Sequence, residues 1–143
     1  AQAACRALGI ECVARIEDLG RRTFDGAVMS HVLEHVSDAG GVLRQLAERV
    51  RWLCVEVPNV ASLRARLSTP LTRARLGADE RHRAFPIHLS YFSPRTLARA
   101  LTGAGFEVVL LRTAGGGAAR AKRLFHRARL GENLLAVART TRR

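Results

Sequence analysis

The sequence predicts an α/β protein built on a mostly parallel, doubly wound sheet, and three observations carry that prediction. Short apolar runs alternate along the chain with segments of helical apolar spacing, the order that parallel strands joined by crossover helices require. One run, 24–29 (FDGAVM), reads as apolar on both faces, as a central parallel strand does. The chain has 143 residues, 48% hydrophobic and 25% charged, which supplies one core of ordinary size. That balance excludes a disordered chain, two full-sized domains and a disulfide-dependent miniprotein.

Each element follows from local chemistry. Residues 1–8 form the end of a helix that Gly9 stops. Residues 10–14 (IECVA) read as a first strand, and Glu17, Asp18 and Leu19 follow in a loop closed by Gly20. The second strand is 24–29, and 30–37 (SHVLEHVS) leave it. Asp38 caps a helix over 39–50, where Val42, Leu43, Leu46, Ala47 and Val50 recur at helical spacing. The third strand is 52–57 (WLCVEV), stopped by Pro58, which has no N–H for a ladder. Residues 60–67 make a short helix, and 68–87, broken by Pro70, Gly77 and Pro86, a loop or lid. Ser93 as cap and Pro94 in the first turn start a helix over 94–103. Residues 106–112 form a fourth strand. The stretch 113–143 reads as a basic C-terminal hairpin or tail: a glycine turn, a basic helix over 118–130, and a last strand over 132–138, antiparallel and at or near an edge.

The formal net charge is +12, and Lys122 is the lone lysine among 24 basic residues. These cluster at 64–83 and 120–143. Positive surface attracts phosphates, acidic lipids and anionic substrates. Aromatic residues are only 5% of the chain, so platforms for base stacking are scarce and a solvated basic face outweighs nucleic-acid binding. Cys5, Cys12 and Cys54 lack a paired spacing. They read as free thiols of a reducing, cytoplasmic compartment rather than a disulfide framework or zinc knuckle. No apolar run approaches the roughly 20 residues of a membrane-spanning helix.

Three segments carry more than pattern: FDGAVMSHVLEHVSD, VEVPNVASLRARL and HLSYFSPRTLARALTGAGFEVV. In this order they resemble the C-terminal two-thirds of a class I S-adenosylmethionine-dependent methyltransferase, closest to the group of small-molecule, quinone and sugar methyltransferases. The resemblance covers roughly residues 1–112. It implies a Rossmann-like sheet whose last strand is antiparallel. It also implies S-adenosyl-L-methionine as cofactor and methyl transfer to a small-molecule or glycan-like acceptor, an anionic one suiting the arginines of 64–83. The family's first strand with its glycine-rich loop, and the second with its ribose-binding acid, have no counterpart here. The expectation is an N-terminally truncated member, with the missing strands between 10–14 and 24–29 and weak cofactor binding by the chain alone.

The resemblance also assigns residues. Asp18 is placed to accept from the adenine amino group, with the Leu19 N–H donating to the ring. Met29, Ser30 and His31 lie where the family lines the sulfonium and amino-acid end of the cofactor, at the carboxyl end of a parallel strand. His88 and Tyr91 match an H-x-S-Y segment of sugar carbon-methyltransferases, with His88 as candidate base. Pro86 and Ile87 stand where those relatives carry further His and Glu residues. Chemically, His88 suits the role because imidazole titrates near neutrality.

His31, Glu34 and His35 spell H-x-x-E-H, formally the inverted zinc-protease motif. A strand-end position, a small chain and a downstream Glu107 in a strand all argue against that reading. Some relatives hold a divalent metal with E-x-x-E-H and a later histidine. Here His31 replaces the first acid and His88 would be the later ligand. Glu34 and His35 as structural groups beside the cleft is the favoured reading, and no metal is expected. Two other classes compete with the enzyme: a non-catalytic basic α/β module that contacts RNA or anionic partners, and a nicotinamide oxidoreductase fragment. HVLEHV and HLSYFSP favour the methyltransferase over the latter.

Overall fold

Leu53, Val55 and Val57 are fully buried while Trp52, Cys54 and Glu56, which alternate with them, are exposed or half-buried, so this strand sends alternate side chains to a packed face and an open one. A computed structural model describes residues 2–62, 88–114 and 131–141. Its elements are helix α1 (Gln2–Ala7), strand β1 (Phe24–Ser30), helix α2 (Ala39–Ala47), strand β2 (Val50–Pro58), helix α3 (Pro94–Gly103), strand β3 (Phe106–Ala114) and strand β4 (Asn133–Thr140). Short 3-10 turns occupy Ile16–Leu19 and Leu33–His35.

The strands form one sheet in the order β1-β2-β4-β3. β1 and β2 are parallel, with Ser30 opposite Glu56 at their carboxyl ends. β4 runs antiparallel to both neighbours, and its Ala136 faces Val55 on one side and Leu111 on the other. The last strand, expected antiparallel and at or near an edge, is antiparallel and lies one place in from an edge, between β2 and β3. Its packed face carries Leu134, Ala136 and Ala138, all fully buried, and only a strand paired on both sides satisfies that much sequestered backbone. The edge belongs to β3, which bears exposed Glu107 and Arg112 and an irregularity between Val108 and Leu110, devices that suit an edge.

Residues 10–14, expected as a strand, form none, so the five expected strands become four. A strand exists only by pairing, and among the described residues β1 pairs on one side alone, with β2. Ile10 instead donates its N–H to the Cys5 carbonyl and closes α1. The helix expected over 39–50 ends at Ala47. Val50 belongs to β2, where it pairs with Phe24 and only coincidentally extends the helical spacing. The expected elements at 63–87 and 118–130 lie outside the described residues.

Caps fall where short polar side chains occur. The Asp38 carboxylate accepts from Gly41 N at the start of α2, offsetting two glycines in the first turn. Ser93 and Thr96 satisfy each other's backbone N–H groups at the start of α3. Leu43 and Leu46 of α2, Leu97 and Leu101 of α3, and Leu33 and Phe106 join the buried face of the sheet in one cluster. Both helices therefore cover the same face. Val28 is 77% exposed while its neighbour Met29 is buried, which is how β1 shows its open side. No described helix is long and apolar enough to cross a membrane.

Candidate functional site

β1 and β2 run parallel and end together, and the chain leaves β1 through His31. Among the described residues His31 is the one non-glycine with positive φ, at 52°. Its N–H donates to the Glu56 carbonyl, which extends the ladder one step past Ser30. The turn Leu33–His35 follows, with the Leu33 side chain buried in the core and the Glu34 side chain only 1% exposed.

Glu34 organises this edge twice. Its backbone carbonyl accepts from Leu89 N at 2.8 Å and Ser90 N at 3.0 Å, which pins the segment before α3 against the turn. Its carboxylate lies among imidazoles. Oε1 is 3.2 Å from His31 Nδ1 and 3.9 Å from His35 Nε2, and Oε2 is buried without a hydrogen-bond partner among the described residues. A buried carboxylate with an unsatisfied oxygen is costly, so this residue marks a place where the fold has spent stability on something other than packing.

The pinned segment brings in His88 and Tyr91. The His88 ring meets His35 edge-on with centroids 4.9 Å apart, and Tyr91 at 6.4 Å. Beyond Pro58, Asn59 bridges to Phe92 in parallel fashion, and Val60 N donates to the Phe92 carbonyl. Segment 88–92 therefore runs alongside the end of β2. Asn59 itself is buried. Its Nδ2 donates to the Gly131 carbonyl at 2.8 Å, and its Oδ1 accepts from Ala61 N at 3.0 Å.

Glu56 completes the edge. Its Oε2 accepts from Ser30 Oγ at 3.1 Å, its Oε1 accepts from Asn133 Nδ2 at 3.0 Å, and Oε1 lies 3.8 Å from His31 Nε2. The sequence reading overlooked both Glu56 and the burial of Glu34. A lone acid near the end of the apolar run WLCVEV was the available signal for Glu56. Burial of Glu34 depends on the 88–91 segment folding over it, which no local pattern encodes.

Of the residues assigned from sequence, His31, Ser30, His88 and Tyr91 come together at this edge. Met29 sits beside them with its side chain in the core, so it backs the wall. Asp18 and Leu19 are held elsewhere. Asp18 Oδ2 accepts from Arg15 N and closes the 3-10 turn, Glu17 accepts from Gln45 Nε2, and Arg49 reaches the Gly20 carbonyl. Those anchors lie in the second half of α2 and beyond it, toward the start of β1 rather than its end. A cleft lined by Phe24, Arg49, Arg51, Glu107, Arg139 and Thr141 is also at that opposite end and gathers none of the assigned residues.

Glu34, His35 and His88 each offer a donor atom, all within 4.8 Å of one another. A sulfonium cofactor also suits the edge on its chemistry. A fixed positive charge is favoured beside the Glu34 and Glu56 carboxylates, while Ser30 and His31 present polar, exposed groups for its amino-acid end.

Comparison with known proteins follows the same lines. Residues 4–111 match the family described as a methyltransferase domain. No curated protein matches the chain. An S-adenosylmethionine-dependent methyltransferase from Thermotoga maritima, described as a possible histamine N-methyltransferase, is similar in fold at TM-score 0.64 and 15% identity. The match covers 98% of this chain and 69% of that one. A methyltransferase from Haloferax volcanii, solved with its Trm112 activator, gives TM-score 0.59 at 14% identity over 92% of this chain. The chain spans 61% of that relative's length. One from Archaeoglobus fulgidus gives TM-score 0.53 at 17% identity, covering 96% and 80%. At these identities the likeness is one of fold.

Proposed function

Because the chain belongs to the methyltransferase-domain family, whose cofactor is S-adenosyl-L-methionine, we propose that the carboxyl edge of β1 and β2 is one side of a methyl-transfer site for a small-molecule or glycan-like acceptor. The observation that carries this reading is the double use of Glu34. Its backbone draws His88 and Tyr91 onto the strand end that holds Ser30 and His31, so one turn sets both faces of a cleft.

In this reading Ser30 and His31, backed by Met29, form the wall at the reacting end of the cofactor, and the adenine-side role expected of Asp18 and Leu19 is not carried over, because they are anchored toward the start of β1. His88 and Tyr91 face the acceptor and orient it. The cofactor supplies an activated methyl group on a cationic sulfur. The protein's part is alignment, exclusion of water and a destination for any proton the acceptor must lose. Free Cys5, Cys12 and Cys54 support a reducing, cytoplasmic setting.

Ultraviolet cross-linking of methyl-labelled S-adenosylmethionine, followed by peptide mapping, tests the reading and registers weak binding. Label on the peptide 23–44, suppressed by excess S-adenosylhomocysteine, is the expected result. Label spread over the chain and indifferent to that competitor sinks the assignment.

A further inference from the structure

Three imidazoles stand at the carboxyl edge, and they are not equivalent. His88 is described by ring contacts, to His35 and Tyr91. His35 Nε2 lies 3.9 Å from Glu34 Oε1, beyond hydrogen-bond reach. His31 Nδ1 lies at hydrogen-bond distance from the buried Glu34, 3.2 Å from Oε1. His31 also sits in left-handed backbone, a strained conformation for a non-glycine residue that clusters where function requires the geometry.

From this we infer that His31 is the proton-accepting base of the transfer and that the buried Glu34 is its positioning residue, an inference that rests on the methyl-transfer reading above. The role thereby passes from His88, which faces the acceptor, to His31. An ionised carboxylate only accepts hydrogen bonds, so the Nδ1 that meets Glu34 carries the hydrogen and Nε2 keeps its lone pair. Glu34 is 1% exposed and fixed through its backbone, whereas the His31 side chain is 47% exposed. A sequestered carboxylate behind an accessible imidazole is the arrangement that holds one tautomer and stabilises the cation formed as a proton arrives. Among the described residues the charged groups facing the ring from the packed elements are Glu34 on its own turn and Glu56 on β2. Glu56 is already occupied by Ser30 and Asn133, and at 3.8 Å it lies beyond hydrogen-bond distance of Nε2.

The step balances without a further reactant. The acceptor's X–H proton passes to Nε2, and the X–H electron pair forms the bond to the methyl carbon. The electron pair of the broken carbon–sulfur bond stays on sulfur. The resulting imidazolium donates through Nδ1–H to Glu34 and later returns the Nε2 proton to water.

Two measurements on the whole chain test this apart from turnover. In the unmodified protein, long-range nitrogen–proton NMR reads the His31 tautomer. Hydrogen on Nδ1 is expected, and hydrogen on Nε2 overturns the proposal whether or not any variant folds. Diethylpyrocarbonate, with mass mapping of peptide 23–44, then reads the reactivity of Nε2. Glu34→Gln is expected to slow modification at His31 roughly tenfold, the order that loss of an orienting carboxylate costs an imidazole. An unchanged rate overturns the proposal. So does a rate at His35 and His88 that rises on treatment with EDTA, because that places a divalent cation on Glu34. Protection of His31 by S-adenosylmethionine ties the pair to the transfer site. If cross-linking fails while tautomer and variant behave as expected, the methyl-transfer reading falls and the dyad stands.

Discussion

Asn59 shows how much one side chain can organise. It follows the proline that ends β2, and its amide spans two segments distant in sequence, Gly131 and Ala61, while its backbone N–H donates to the Glu132 carbonyl. Gly131 has no room for a side chain there, since a Cβ would stand 2.8 Å from the Ala114 carbonyl oxygen. Asn59→Ala leaves buried donors and acceptors unpaired, each costing about 1–3 kcal/mol. The expected result is a lower urea midpoint with an unchanged slope. A wild-type midpoint would show that Asn59 is replaceable. The site residues differ in how they could be read. Imidazoles announce themselves by type, so His31 and His88 were visible in the sequence. Their ranking was not, because it turns on which of them meets the buried Glu34.

At the scale of elements, β1, α2, β2, α3 and β3 were legible because their signals are local: caps at Asp38 and Ser93, an N1 proline, and apolar runs ended by glycine or proline. Residues 10–14 carry the same apolar signal and fail as a strand, since pairing is supplied by neighbours and not by composition. What holds that segment is partly electrostatic. Glu11 pairs with Arg22, and the hydrogen bond from the guanidinium, then its charge, keeps the Glu11 carboxyl below the ordinary carboxylate range. A depressed folded pKa contributes stability above the unfolded value, about 4.3 for glutamate, and loses it as pH falls through the lower folded value. Amide protection across 11–22, measured relative to the intrinsic exchange rate at each pH, is therefore expected to fall selectively in acid. Protection that falls equally in Arg22→Gln would discount the pair.

Across the whole molecule, the order β1-β2-β4-β3 was the least legible feature, for no local signal says which strands a late segment will part. The small residues of β4 give the reason it fits. Ala136 and Ala138 are fully buried beneath the helix-covered face, where larger side chains would lift α2 and α3 from the sheet. Ala136→Leu is expected to overpack this layer at about 1–3 kcal/mol, lowering the thermal midpoint. An unchanged midpoint would mean that the layer yields more readily than its burial suggests.

The interior position of β4 also bears on how the chain is made. A ribosome releases β2 and β3 long before Asn133–Thr140 emerges, yet each has its long ladder with that strand. The sheet thus stays in two unjoined halves until the closing stretch arrives, and contacts of such sequence separation form slowly. Any delay before Asn133–Thr140 leaves the ribosome would prolong a sticky, half-zipped nascent chain.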